Sequence, residues 1–359
     1  MLALQALTPG RLADEVPGLT LDEARKLVSA VHRDKPLDRP FAGVRRASFE
    51  AVRERGEVPS LELLSEAKSS VDPFRKFLFR APDGAAFEAV RIPLEKAGRF
   101  SVCVSSQAGC ALACAFCATG RLGLRRNLSS WEIVEQVRWV RRSLDRAAGE
   151  RVHGVVFQGM GEPLANVDRV LEAIAVFSDP CALAVDARNI TVCTAGLPAG
   201  IRRLAAEAPR VRLALSIGSA RPELRRSLMP IEKSHALSRE VFEAAVEHAR
   251  ATGLVPLWAY APLAGVNDTD DDARALGELV RAFADAAGVR PRVSLIPYNA
   301  IGEGDPFARQ GEGQARDFRE ALARHGVFAH IRYSGGGDVA AACGQLAARG
   351  AAAGERRPG

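Results

Sequence analysis

The chain has 359 residues, of which 47% are hydrophobic and 26% are charged, the ordinary composition of a globular protein. The seven cysteines are too few, and odd in number, for a disulfide framework, and no apolar run approaches the roughly 20 residues that span a membrane. The first residues also lack the features of a signal peptide, so we expect a cytoplasmic protein that does not bind membranes. The net charge of +6 suits a polyanionic partner.

The first 95 residues are predicted to form a small α+β domain. Residues 1 to about 70 are polar and helix-like, and the apolar residues of LTLDEARKLVSAVH recur at helical spacing. The segments RKFLFRA and AAFEAVRIP alternate apolar and polar residues on either side of Pro82, Asp83 and Gly84. This pattern predicts a β-hairpin with its turn at these three residues.

After residue 95 the pattern changes to short apolar strands that alternate with helices. Ser129 and Glu132 have the spacing of a capping box at the start of one of these helices. Such alternation is typical of parallel βα units, and about six units fit in the second predicted domain, residues 96–345. The fold class is therefore α/β with a partial (β/α)6 barrel. Residues 346–359 are predicted to be a disordered tail.

Three cysteines of the segment CALACAFCATG, at Cys110, Cys114 and Cys117, lie on one short predicted loop. A [4Fe–4S] cluster takes one cysteine on each iron, so three cysteines leave one iron open to another ligand. The loop resembles that of the radical-SAM enzymes, in which the open iron binds the methionine end of S-adenosylmethionine. Structural zinc and a cluster with a purely redox role are the alternatives. Zinc needs four ligands, and the six histidines are scattered without a metal-binding spacing.

A glycine-rich segment, FQGMGEPLANVD, follows the next predicted strand at its carboxyl end, where α/β barrels have their active sites. Gly159 and Gly161 allow the main chain to approach a ligand closely. Glu162 is a candidate to bind the α-ammonium group of a methionine. A tight βα turn is the alternative interpretation of this segment.

Two further cysteines are candidates for thiol chemistry. Cys103 is on the strand that leads into the cysteine loop, and Cys343 follows three consecutive glycines near the end of the chain. One thiol beside a cluster and another on a loop that can reorganise suggest a pair that meets during turnover. A buried and inert cysteine is the alternative for Cys343.

Five segments together resemble the dual-specificity radical-SAM RNA methyltransferases, which methylate an adenine of 23S rRNA at C2 or C8. They are CVSSQAGCALACAFCATG, GLRRNLS, GMGEPLANVDRV, SLIPYN and AACGQLA, and the similarity extends from about residue 75 to about residue 350. The resemblance implies a radical-SAM partial barrel, an RNA substrate (rRNA or tRNA) with an unpaired adenine, and a protein that donates one electron. Residues 1–95 are then a candidate for contact with RNA.

The resemblance also implies a mechanism. An adenine C2 or C8 is electrophilic and cannot attack a sulfonium methyl group, so the family first transfers a methyl group to a cysteine, which matches Cys343. A second S-adenosylmethionine, on the [4Fe–4S] cluster, gives a 5′-deoxyadenosyl radical that activates this methyl group, so two molecules are used per turnover. Cys103 matches the cysteine that releases the product through a transient disulfide with Cys343. Glu88 matches the base that removes the ring proton.

The cofactor pocket of the family is matched by four residues, Gly161, Glu162, Ser216 and Asn299. Three segments depart from the family pattern. Cys193 replaces the usual serine in VCTAG, Gly218 lies in SIGSA where a histidine is usual, and Gly335–Gly337 replaces an arginine–glycine–acidic run. These departures suggest a paralogous branch and leave open both the RNA target and the choice between C2 and C8.

Five arginines close to these motifs support an RNA partner, because arginine binds phosphates and stacks on unpaired bases. They are Arg121, Arg125, Arg126, Arg225 and Arg226. A solvated charged surface is the alternative for any of them. Two other functions stay open from the sequence: a radical-SAM enzyme that acts on a non-RNA substrate, and a non-catalytic RNA-binding protein with a structural metal.

Overall fold

The computed structural model describes residues 1–348, and its centre is a ten-stranded sheet. The strands are β1 Leu2–Ala3, β2 Gly56–Glu57, β3 Glu62–Lys68, β4 Arg75–Arg80, β5 Ala86–Pro93, β6 Arg99–Val104, β7 Gln107–Gly109, β8 Leu124–Asn127, β9 Arg151–Phe157, β10 Ile190–Thr194, β11 Arg212–Ser216, β12 Leu257–Tyr260, β13 Arg292–Leu295 and β14 Ala329–Ile331. The α-helices are α1 Pro9–Glu15, α2 Leu21–His32, α3 Arg46–Arg55, α4 Ser130–Arg142, α5 Val167–Ser178, α6 Pro198–Glu207, α7 Pro222–Leu228, α8 Phe242–Thr252, α9 Asp270–Ala287 and α10 Glu312–Arg324.

Local capping signals fix the starts of the predicted helices. Before α2, the Glu23 carboxylate accepts the main-chain N–H of Thr20 at 3.1 Å. Before α4, the Glu132 carboxylate accepts the main-chain N–H of Ser129 at 2.7 Å, which confirms the predicted capping box. None of the helices described here is both long and apolar enough to cross a lipid bilayer.

The large sheet has the strand order β14–β13–β12–β11–β10–β9–β6–β5–β4–β3. All neighbours from β14 to β6 are parallel, and all neighbours from β6 to β3 are antiparallel. Helices connect the successive parallel strands, as the short apolar segments after residue 95 predict. Within the described residues, β14 and β3 are the two edges of the sheet. The prediction of an α/β fold with a partial barrel is confirmed.

The amino-terminal region extends this sheet. The predicted hairpin is confirmed, since β4 and β5 are antiparallel with Phe79 opposite Phe87. The next strand continues the pairing, with Val90 of β5 opposite Cys103 of β6. The sheet therefore runs across residue 95, and the division into domains at this residue stays a prediction.

The chain after Cys343 packs on this framework as far as it is described. Leu346 is buried, and its main-chain oxygen accepts the hydroxyl of Thr119 at 2.6 Å. The main-chain N–H groups of Ala347 and Ala348 donate to Glu88. Residues 346–348 of the predicted disordered tail are thus in contact with the sheet, and the rest of that tail lies outside the described residues.

Candidate active site

One cavity at the carboxyl ends of the parallel strands brings most of the predicted site residues together. Its wall includes eight of them: Cys103, Cys110, Cys114, Cys117, Gly161, Glu162, Ser216 and Cys343. They come from β6, the cysteine loop, the turn after β9, the end of β11 and the segment after β14. Parallel strands end at the same edge of a sheet, which is why residues so distant in sequence meet here.

The cysteine loop is folded back on itself. Its start is fixed because the main-chain N–H of Cys110 donates to Gly123 at 2.9 Å. Its turn is closed because the N–H of Cys117 donates to the oxygen of Cys114 at 3.1 Å. Ala113, between these residues, has a φ of 51°, a left-handed conformation that a small side chain tolerates better than a β-branched one. The local sequence thus produces a tight loop that presents three thiols.

The environment of these thiols suits a positively charged iron cluster. Burial raises the pKa of Cys110 to about 11. The pKa of Cys114 is also well above its ordinary value, first because of burial and then because of repulsion from Cys117 and Cys110. A bound cation would remove both penalties. Among residues 1–348 no three His, Cys, Asp or Glu side chains are arranged to bind a single metal ion. Thiolates on a cluster bind different irons, so the three-thiol set fits a [4Fe–4S] cluster.

The glycine-rich turn after β9 packs closely against the strand that leads into the loop. Gly161 has a φ of 98°, and a Cβ atom at this position would lie 2.5 Å from the Cβ of Gln107. Glu162 is buried, and its carboxylate accepts the main-chain N–H groups of Leu164 at 3.0 Å and Ala195 at 2.8 Å. Burial raises the pKa of Glu162, so an ammonium group in the cavity would stabilise the carboxylate.

The other two predicted cofactor residues differ in position. Ser216 ends β11 and lines the cavity. Asn299 is not part of the cavity wall, and its amide donates to the Ser334 hydroxyl at 2.7 Å and to the Pro297 oxygen at 3.1 Å. Both of these acceptor residues do line the cavity. Asn299 therefore holds two residues of the cavity wall without lining the cavity itself.

The structure shows the surroundings of two residues that depart from the family pattern, Cys193 and Gly218. Cys193 lines the cavity, and burial raises its pKa well above the ordinary value of a thiol. Gly218 has a φ of 67°, and a Cβ atom there would lie 2.5 Å from the sulfur of Met229. Met229 is buried in the cavity wall, so this methionine occupies the space beside Gly218.

The two thiols predicted to meet during turnover both face the cavity. Cys103 is buried in β6, and burial followed by repulsion from Cys343 raises its pKa to about 12. Cys343 has an accessible surface, although the surrounding cavity raises its pKa to about 11. Every cysteine of residues 1–348 is a free thiol, so the predicted transient disulfide is not formed in this state.

Gln158 contacts both of these thiols, and the sequence interpretation did not identify it. Its side-chain amide donates to the sulfur of Cys343 at 3.4 Å. Its main-chain N–H group donates to the sulfur of Cys103. The only signal in the sequence is a polar residue at the end of β9, immediately before Gly159, and such a residue is common at the rim of an α/β barrel.

Main-chain hydrogen bonds hold the Cys343 segment against the cysteine loop. The N–H group of Ala118 donates to the oxygen of Gly344 at 2.7 Å. On the other side, the Lys76 ammonium group donates to the oxygen of Ala340 at 3.3 Å. The glycines before Cys343 predict a segment that can reorganise, and in this state it is bound to two other parts of the chain.

Glu88 is not part of the cavity wall. Its carboxylate is buried and forms an ion pair with Lys76 at 3.0 Å. It also accepts the main-chain N–H groups of Ala347 at 2.9 Å and Ala348 at 3.1 Å. The residue that matches the family's base is thus bound to the segment that follows Cys343. Its catalytic role stays a prediction.

The predicted RNA-contacting arginines are not equivalent. Arg225 is buried and pairs with Glu232, so the prediction that it contacts RNA is wrong for this state. Arg126 pairs with Asp83 and Glu132. A different exposed set lines a groove that shares Pro297 and Tyr298 with the cavity. These residues, Arg309, Arg316 and Arg319, lie on α10 or just before it.

Comparisons with known proteins agree with this geometry. The model of the Radical SAM superfamily matches residues 104–280. A probable RNA methyltransferase of Sorangium cellulosum is 58% identical over 361 residues, which cover 95% of this chain and 91% of the relative. The dual-specificity RNA methyltransferase RlmN of Syntrophobacter fumaroxidans is 42% identical over 305 residues, 84% of each chain. The crystal structure of a radical SAM methyltransferase from Sphaerobacter thermophilus is similar with a TM-score of 0.86 and 33% identity, over 97% of this chain and 100% of that one.

Proposed function

Because this chain belongs to the radical SAM superfamily and to its RNA methyltransferases of RlmN type, we propose that it methylates a ring carbon, C2 or C8, of an unpaired adenine in rRNA or tRNA through Cys343. One observation carries the proposal. The Cys343 thiol lines the same cavity as Cys103 and the three thiols of the cysteine loop. An enzyme that used a radical directly on its substrate would not need two further thiols in this cavity.

The first step loads a methyl group onto Cys343. The thiol loses its proton to solvent, which reaches this residue. The thiolate then attacks the methyl carbon of S-adenosylmethionine, and the electron pair of the broken sulfonium bond leaves with S-adenosylhomocysteine. The thiolate is the reactive form of cysteine, so groups that favour it accelerate this step.

The cavity then serves the second S-adenosylmethionine of each turnover. Cys110, Cys114 and Cys117 would hold the [4Fe–4S] cluster, with Glu162 and Ser216 beside the cofactor. When bound and reduced by a one-electron donor protein, these cofactors supply a 5′-deoxyadenosyl radical that activates the methyl group for addition to adenine. Apolar side chains of the cavity wall, among them Phe116 and Met229, limit the access of water to this reaction.

Release of the methylated base requires Cys103 and Glu88. The Cys103 thiolate attacks the Cys343 sulfur, and the new S–S bond replaces the S–C bond to the adduct. The electron pair of that S–C bond passes to the carbon, which takes up a proton and becomes the methyl group of the product. Glu88 removes the ring proton of the radical adduct, and the unpaired electron of the adduct passes to the oxidised one-electron carrier protein, so the purine ring is aromatic again before the S–C bond breaks. A dithiol reductant then restores both thiols.

The substrate adenine has to leave its stack to reach this cavity. Enzymes that react with a base take it from a loop or extrude it into a pocket, and this costs a few kcal/mol of stacking. The position of Cys343 inside the cavity wall requires the same of this protein. Unpaired adenines in rRNA or tRNA are therefore the proposed substrates.

The deciding experiment compares methylated adenosines, by mass spectrometry, in RNA from cells with and without this gene. We expect the loss of one C-methyladenosine in the deletion strain and its return with the wild-type gene. The Cys343→Ala variant should not restore it, although the purified variant should still cleave S-adenosylmethionine. Unchanged methyladenosine in the deletion strain would favour a non-RNA substrate.

A further inference from the structure

The geometry points to Gln158 as a positioning residue that holds the Cys343 thiol in the orientation required for methyl loading. This inference rests on the proposed role of Cys343 as the methyl carrier. Gln158 is the residue whose side chain donates to the Cys343 sulfur, at 3.4 Å. No sequence motif assigns it a role.

The main chain at Gln158 is fixed by the neighbouring strand. Val156 of β9 is opposite Cys103 of β6, and the N–H group of Gly159 donates to Val104 at 3.1 Å. A Cβ atom on Gly159 would lie 2.6 Å from the Val104 oxygen, so the two strands approach too closely for any larger residue. The backbone of Gln158 therefore has little freedom to move away from Cys103.

The side chain of Gln158 extends from this fixed backbone into the cavity and ends at Cys343. Cys343 is on a segment with no helix or strand of its own, so its thiol direction depends on such contacts. An N–H donor at the sulfur stabilises the thiolate more than the thiol, since bonds to ionised acceptors are stronger. The contact thus favours both the orientation and the reactive form of the methyl acceptor.

The same bond weakens once the reaction has occurred. Loading forms the S–CH3 bond and breaks the sulfonium C–S bond of S-adenosylmethionine, whose electron pair leaves with S-adenosylhomocysteine. The product sulfur is a thioether, which is only a weak acceptor. Gln158 therefore holds the acceptor before loading and releases it afterwards, while its main-chain N–H stays with Cys103.

The size of the effect can be bounded. A lower thiol pKa raises the thiolate fraction but makes each thiolate less nucleophilic, with a Brønsted coefficient of about 0.4–0.5. A tenfold larger thiolate fraction therefore raises the rate of methyl loading only about threefold. Loss of orientation adds to this. We therefore expect the Gln158→Met variant, which keeps the length of the side chain and removes the donor, to load methyl groups about 3–10-fold more slowly.

The test uses the full-length holoenzyme, reconstituted with iron and sulfide, under single-turnover conditions with S-adenosylmethionine. Intact-protein mass spectrometry follows the gain of one methyl group, and peptide mapping assigns it to Cys343. Gln158→Met and Gln158→Glu should both lower the loading rate constant without changing KM for S-adenosylmethionine or the iron content. Gln314→Met is the matched control, because Gln314 caps α10 outside the cavity, and it should load at the wild-type rate.

Two results would overturn the inference. One is wild-type loading by Gln158→Met. The other is slow loading by Gln158→Met together with wild-type loading by Gln158→Glu, because both variants lack the N–H donor. Failure of the proposed function gives a different result, since then the wild-type enzyme would gain no methyl group on Cys343 at all.

Discussion

The carboxylate of Glu88 accepts the main-chain N–H group of Ala347 at 2.9 Å. The residue that matches the family's base is therefore bound to the segment that follows Cys343, the thiol proposed to accept the methyl group. The Lys76 ammonium group forms an ion pair with the same Glu88 carboxylate at 3.0 Å. For Glu88 to reach a substrate base, residues 347–348 have to leave it. If Glu88 is the base, we therefore expect its exposure to require movement of the segment that follows Cys343.

Substitution of Glu88 by glutamine tests this base directly. If Glu88 removes the ring proton, Glu88→Gln should lower product formation at least 100-fold, within the range of about 10²–10⁴ for a general base. The covalent protein–RNA adduct should then accumulate and be visible as a shifted band on a denaturing gel. Lys76→Met is the control, because it removes the ion pair and leaves the carboxylate in place. Equal adduct accumulation in both variants would assign the effect to the ion pair.

Removal of one thiol of the cysteine loop should abolish cluster binding. In Cys114→Ala, only two cysteines of the loop remain, so iron and sulfide should fall to background after anaerobic reconstitution, with loss of the cluster's visible absorption. Cys181→Ala is the matched control, since Cys181 is a free thiol outside the cavity wall. It should retain the wild-type iron content. Zinc without iron in the wild-type protein would refute the cluster assignment.

Local sequence patterns predicted the parts of the fold that depend on local interactions. The hairpin at Gly84 and the capping box at Ser129 follow from residues within a few positions of each other. The two main-chain donors to the Glu88 carboxylate are 259 and 260 residues away, and the residue bonded to the Gln158 side chain is 185 residues away. No local pattern encodes such contacts, because they exist only once the strands are assembled.

The error at Arg225 has the same origin. Two consecutive arginines after a strand are expected to be exposed, because charged side chains are rarely buried. Arg225 is buried only because Glu232 and the main-chain oxygens of Ala195 and Ile217 surround its guanidinium group. These partners come from three other segments. A sequence can therefore indicate the chemistry of a site more reliably than which of its charges face the solvent.

The arginine groove beside the cavity is expected to bind phosphates of the RNA substrate. Replacement of Arg309, Arg316 and Arg319 by glutamine should weaken RNA binding, and the slope of log affinity against log salt should fall by about 0.7–0.9 for each lost phosphate contact. The control is the double variant Arg210→Gln and Arg290→Gln. These residues precede β11 and β13, at the amino-terminal ends of the parallel strands and away from the cavity. An unchanged salt slope in the triple variant, by fluorescence anisotropy, would place the RNA elsewhere.

Two glycines before Cys343, Gly335 and Gly337, differ in how closely they are packed. A Cβ atom on Gly335 would lie 2.5 Å from both the Asp72 carboxylate and the Phe74 ring, whereas one on Gly337 would meet nothing within 4 Å. Asp72 also binds the N–H group of Gly336 at 2.9 Å, so displacing it loosens the segment that leads to Cys343. Gly335→Ala should therefore cost about 1–3 kcal/mol of stability through overpacking and slow methyl loading at Cys343. Gly337→Ala should change neither the unfolding temperature nor the loading rate, and equal behaviour of the two variants would contradict this packing.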